Sequence, residues 1–195
     1  DEIMYSLPID PELAHELICF CESLNLHMHA YDGDYFLTPV DNDLAREYRD
    51  SVYGVALMRV TGRPLSECEI PPQPKLLAIS TPERTHQLLP LLQEKFKGRL
   101  ICAVSRPHYI ECTSPESRKE KALAELCARL NVPAEEVVAF GDGQNDAGMI
   151  RFAGLGCAVA NAREEVRAQA DLVAPSNRED GVAQVIERQV HGMAH

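Results

Sequence analysis

From Thr113 onward the sequence alternates in a way that leaves few folds open. Apolar spacing and caps predict a helix over 116–130, a strand over 137–140, a helix over 146–152 and a strand over 155–159. A helix over 163–168, a strand over 171–174 and a helix over 180–190 complete the series. Strands that alternate with helices form a parallel sheet covered by those helices, because each crossover must carry the chain back before the next strand can pair. The first 112 residues read differently. They predict a strand over 3–9, a helix that Asp10 caps and Pro11 opens, and a hairpin of strands 26–30 and 35–38 about Asp32-Gly33-Asp34. A helix over 42–53, short strands near 57–60 and 75–79, a helix after Thr81 kinked or split at Pro90, and a second hairpin (99–104 with 108–112) follow. The expectation is α/β overall, with an α+β module over 1–112 and half of a doubly wound domain over 113–195.

Within the second part, Val137-Val138-Ala139-Phe140-Gly141-Asp142-Gly143-Gln144-Asn145-Asp146 concentrates the chemistry. An apolar, β-branched run ends abruptly at Gly-Asp-Gly, where two glycines allow a sharp turn and a close approach. Asn145 is expected to cap the helix that follows. Asp142 then stands at the carboxyl end of a strand, where open α/β sheets bind ligands, and Asp146 stands four residues on. Two carboxylates with few basic neighbours suit a hard cation such as Mg²⁺, whereas a turn with two solvated acids is the plain alternative. Ser117-x-x-Glu120 reads as a capping box that places Lys119 in the first turn of its helix. A cation there opposes the helix dipole, which hints at a nearby anion, although a solvated Lys in the run Arg118-Lys119-x-Lys121 explains it as well. Asn161, three residues before Glu164, reads as another cap, and Asn177 as a turn residue.

Charge and cysteine usage limit the partners. A net charge of −11 argues against nucleic acid or an anionic membrane, and no apolar run has transmembrane length. Seven cysteines form no C-x-x-C pair and lie mostly in apolar segments, as buried reduced thiols of a cytoplasmic protein would. The chain opens Asp1-Glu2-Ile3-Met4, without an initiating Met or a signal-peptide pattern, and reads as processed, cut or partial. His27, His29, Asp32 and Asp34 invite a metal site, but no third ligand follows at a suitable spacing. A polar outer face or a substrate-facing loop is the expectation there.

Gly141-Asp142-Gly143-Gln144-Asn145-Asp146 together with Lys119 resembles the haloacid dehalogenase-like superfamily. Residues 153–162, Glu164-Glu165-Val166, Ala170-Asp171 and Ser176-Asn177-Arg178-Glu179-Asp180-Gly181-Val182 resemble its Cof-type phosphatase branch. The resemblance implies the C-terminal half of a Rossmann-like core with a parallel sheet, preceded by an α+β cap domain. It implies Mg²⁺-dependent hydrolysis of a phosphate monoester, with a sugar phosphate or a phosphorylated cofactor as substrate. It places Asp142 and Asp146 at the metal, Lys119 against the phosphoryl group, and Asn145, Asn161 and Asn177 toward the substrate. Glu120 and Ala160 stand where the family usually has Gly. The family's opening Asp-x-Asp-Gly-Thr, which supplies the nucleophile and the general acid/base, does not occur in these 195 residues. Asp41-Asn42-Asp43 and Thr61-Gly62-Arg63-Pro64 imitate family motifs at unsuitable places and are read as coincidences. The resemblance therefore implies a chain that is inactive by itself and prone to pair with itself or with the front segment. A non-catalytic ligand-binding or regulatory relative is the alternative.

Overall fold

A computed structural model describes residues 5–51 and 57–192, with side chains to 189. Chain contacts divide it into two compact units, 1–117 and 118–195.

In the first unit, α1 (Pro11–Ser23), β1 (His27–Asp32), β2 (Tyr35–Thr38), α2 (Asp43–Ser51), β3 (Leu57–Val60), β4 (Lys75–Ile79), α3 (Pro82–Lys95), β5 (Ile101–Arg106) and β6 (Tyr109–Thr113) follow in order. The six strands form one sheet in the order β3-β2-β1-β4-β6-β5. Every pairing is antiparallel except β2 with β3, which α2 joins as a crossover. The sheet is buried on both faces at its centre because β4 alternates: Leu76 and Ala78 face α1 and α3, whereas Leu77 and Ile79 face α2. Leu17, Ile18 and Cys21 of α1 and Leu88 and Leu92 of α3 close the first face. Asp10 starts α1 as its sequence predicts, accepting from the amides of Glu12 and Leu13 at 3.1 Å.

Two expectations fail in this unit, and a third is met as far as the described residues reach. No strand forms over 5–8, and Ile9 makes only an isolated bridge to Gln73; residues 3 and 4 lie outside the described residues. The expected helix over 42–53 forms from Asp43 through Ser51, and residues 52 and 53 lie outside the described residues. Pro90 does not split α3, which runs unbroken with Pro90 exposed and Thr85, Leu88 and Leu92 buried on the opposite side. Burial of that stripe outweighs the one backbone hydrogen bond that a proline removes.

His27 and His29 share a face of β1, but not an outer one, since His29 is 0% exposed. Their Nε2 atoms lie 3.0 Å apart, and Thr38 Oγ1 and Asn42 Nδ2 contact His27. The proton positions follow from Asn42. Its Oδ1 accepts from the Ala45 amide, so its Nδ2 donates to His27 Nδ1. His27 therefore carries its proton on Nε2 and donates to His29 Nε2 and Thr38 Oγ1. His29 must then hold its proton on Nδ1, a buried atom without a partner, among the rings of Phe36 and Tyr48. Asp32 pairs with Arg59 at 2.5 Å. No group of three or more His, Cys, Asp or Glu able to hold a metal occurs among the described residues.

The second unit contains α4 (Lys119–Leu130), β7 (Val138–Gly141), α5 (Ala147–Phe152), β8 (Leu155–Val159), α6 (Glu164–Arg167), β9 (Leu172–Ala174) and α7 (Gly181–Gly192). The alternation produces a parallel sheet in the order β7-β8-β9, as expected. Its core is two small clusters, Ile150, Ala158, Val159 and Val166 in one and Cys157, Ala174 and Val185 in the other. The Ser117 capping box does not form. Arg118 is the N-cap and its side chain does not cap the helix, Ser117 N donates to Ser114 O, and Glu120 lies over α5. Among the described residues no helix is long and apolar enough to cross a membrane.

Candidate functional site

The carboxyl ends of β7, β8 and β9 lie along one edge of the parallel sheet, since Gly141 pairs with Ala158 and Val159 with Ala174. Asp142 follows the first strand directly, Asn161 follows the second by two residues, and Asn177 follows the third by three. The loops are laced together. The Arg163 amide donates to the Asp142 carbonyl at 3.3 Å, and the Asn177 amide donates to Asn161 Oδ1 at 2.9 Å.

The Gly-Asp-Gly turn is held by the acid that ends it. Asp146 Oδ2 accepts from the amides of Asp142 (3.1 Å) and Gly143 (3.0 Å), and Oδ1 accepts from Lys119 Nζ at 2.5 Å. Burial raises the Asp146 carboxyl, but the Lys119 ammonium and the two amides outweigh it and hold the group below its ordinary value. Gly141 is required for this closure, because a Cβ there would lie 2.3 Å from Asp146 Cβ. A Cβ on Gly148 would meet Glu120 Cδ at 2.4 Å, so the bare backbone of α5 makes room for the Glu120 side chain from the first turn of α4. The Lys119 side chain remains half exposed.

The two acids therefore differ. Asp146 is 4% exposed and already takes three donors, whereas Asp142 is exposed and its carboxylate accepts no hydrogen bond among the described residues. A free carboxylate at a strand end can bind a cation directly, while one that already takes three donors sets the loop and the lysine. Asn145 does not cap α5, contrary to expectation. It is exposed in a 3-10 turn over Gln144–Asp146, and α5 begins only at Ala147 without a side-chain cap. Asn161 does not cap α6 either: Arg163 is the N-cap, and the Asn161 amide group straps the β8 loop to the β9 loop. Asn177 contributes its backbone amide to that strap.

Sequence reasoning missed the return of Asp146 onto its own loop, although two glycines three and five residues before an acid are a usable signal. It also missed Asp171, whose Oδ2 accepts from the Gly156 amide at 2.8 Å and closes the start of β8. No short-range pattern reveals that contact.

A family model described as haloacid dehalogenase-like hydrolase matches residues 1–186. A Haemophilus influenzae relative with a provisional phosphatase name is 30% identical over 189 residues, covering 95% of this chain and 69% of that protein. A Bacillus subtilis 5-amino-6-(5-phospho-D-ribitylamino)uracil phosphatase is 42% identical over 101 residues, which are 51% of this chain and 41% of that protein. A solved haloacid dehalogenase-like hydrolase from Bacteroides thetaiotaomicron superposes with a TM-score of 0.85 at 30% identity, covering 96% of this chain and 70% of that one.

Proposed function

Because the chain belongs to the haloacid dehalogenase-like hydrolase family, we propose that its second unit carries the cation-binding and phosphate-facing side of a phosphatase site, with Mg²⁺ as cofactor. The observation that carries this reading is the division of labour between the two acids. Asp142 is free at the end of β7, and Asp146 is spent on Lys119 and on the loop amides. The donor set fits Mg²⁺, which takes one or two carboxylates and keeps several waters. Asp142 would hold the ion directly, with Asp146 behind it. Bound there, the ion would neutralise charge on a phosphoryl oxygen.

The chain's own residues supply the rest. One donor of the Lys119 ammonium is committed to Asp146, which leaves the others for an anionic oxygen and keeps the group from swinging away. The Asn161–Asn177 strap holds two strand-end loops in register, so that polar groups on both face the same space as Asp142. Asn145 presents an exposed amide beside it. Phosphoryl transfer asks for positioning and charge neutralisation more than covalent help, and this arrangement supplies both.

The 195 residues contain no Asp-x-Asp-Gly-Thr, and the reading assigns the nucleophile to none of them. This polypeptide alone then binds Mg²⁺ and phosphate without turning an ester over. The first unit serves as the cap, and the substrate is a small phosphorylated metabolite, in keeping with the names of the relatives. The seven free cysteines suit the cytoplasm.

The test is a Mg²⁺ titration of the 195-residue chain followed by amide NMR. Shifts are expected to centre on residues 141–146 and to vanish in Asp142→Asn with the fold kept. Lys119→Met is expected to retain the Mg²⁺ response and lose that to inorganic phosphate. An unchanged Mg²⁺ response in Asp142→Asn would refute the assignment.

A further inference from the structure

We propose that Cys102 and Cys112, in the first unit, form a peroxide-reactive pair that closes to a cross-strand disulfide. The two residues stand directly opposite on β5 and β6. Cα atoms so paired lie about 4.5–5.5 Å apart, within the range that a disulfide spans without backbone movement. Their sulfurs are 3.0 Å apart, with the Cys112 thiol donating to Cys102 Sγ. Both side chains face the core beneath α1 and α3, where nothing in the proposed hydrolytic site uses them.

The neighbourhood gives them different parts. The Cys112 hydrogen bond holds the Cys102 thiol below its ordinary value, and the same contact, together with burial, holds Cys112 well above. Cys102, on the edge strand, is the attacking thiolate, and Cys112, on the strand inside it, is the resolving thiol. Cys21 lies in the same core, but burial pushes it to about 12, which keeps it protonated and unreactive. Access comes through β5. It is an edge strand, its other described residues are exposed, and its pairing shifts register between Val104 and Arg106. Edge strands open at lower cost than central ones, and a peroxide needs only a narrow opening.

In the first step the Cys102 thiolate attacks one peroxide oxygen. An S–O bond forms, the O–O bond breaks, and the departing hydroxide takes a proton to give water, leaving a sulfenic acid. The Cys112 sulfur then attacks the Cys102 sulfur. The S–S bond forms, the S–O bond breaks, and hydroxide leaves with the Cys112 proton as a second water. Two thiols are oxidised by two electrons, and one peroxide is reduced to two waters. The product fastens the sheet's free edge strand to β6.

The experiment treats the fully reduced 195-residue chain with hydrogen peroxide and maps it after alkylation. Because Arg106 precedes Pro107, trypsin leaves both cysteines in one peptide, 100–118. Closure is expected as loss of two hydrogens from that peptide, with both thiols protected from alkylation, roughly tenfold faster than oxidation of the exposed Cys19. Cys112→Ser is expected to accumulate a sulfenic acid at Cys102 that dimedone captures, whereas Cys102→Ser leaves Cys112 unreacted. The wild-type map stands whether or not either variant folds. A peptide 100–118 that remains fully alkylated while Cys19 is oxidised would overturn the proposal, as would cross-links that run mainly to Cys21.

Discussion

Single residues in this chain are decided by neighbours far away in sequence. His29 illustrates the energetic side. Burial among Phe36 and Tyr48, with a smaller push from His27, lowers it from 6.5 to about 3. The unfolded chain therefore binds a proton that the folded chain refuses, so stability is complete above about pH 6.5 and falls as pH drops toward 3. Urea unfolding at a series of pH values should show this slope, and His29→Leu should flatten it. Gly141→Ala is expected to destabilise by about 1–3 kcal/mol, as overpacking does, and to release Lys119 from Asp146. Urea midpoints and the Lys119 ammonium NMR signal would read both effects. The Gly-Asp-Gly turn and Lys119 were legible as a candidate site because their residue types are unusual for their positions. The partners of Asp146 and Asn161 were not. Lys119 lies 27 residues from Asp146, and Asn177 lies 16 from Asn161, beyond any capping pattern.

At the scale of elements, hydrophobic spacing located nearly every strand and helix, and errors gathered at the ends. The Ser117 box looked complete, yet the cap falls one residue later, at Arg118, and Glu120 lies against Gly148 instead of returning to cap. Pro90 misled in the other direction, since a buried stripe can carry a helix through a proline. Removing the proline should therefore strengthen α3. Pro90→Ala is expected to stabilise the first unit by about 1–2 kcal/mol, the restored helix bond exceeding the entropy that proline removes from the unfolded chain. Thermal unfolding with unchanged far-ultraviolet dichroism would check it, and a lowered midpoint would show that the local backbone is built around the proline. The parallel pairing of β2 with β3 inside an otherwise antiparallel sheet was not legible, because it depends on α2 acting as a crossover rather than on any pattern within the strands.

At the scale of the whole molecule, the described residues form two sheets of different construction. Alternation after Thr113 was enough to specify the parallel sheet, and its β7 edge has no partner among the described residues. Val138 on that strand is 39% exposed, and an unpaired edge with apolar side chains invites pairing between copies. Sedimentation is expected to show association that grows with concentration and that Val138→Lys reduces. A concentration-independent monomer would mean that the edge is protected by its twist or shortness. The strand orders themselves bear on biosynthesis. In the order β7-β8-β9 each new strand joins the one made just before it, so this sheet can grow at the pace of translation. In the order β3-β2-β1-β4-β6-β5, β4 must find β1 across two intervening strands and a helix, and β5 must wait for β6 before it can join the sheet at all. The first unit leaves the ribosome earlier yet has the more distant pairings to make, and non-local pairings are the slow ones. A nascent chain paused between the two units is where a chaperone would find the most to hold.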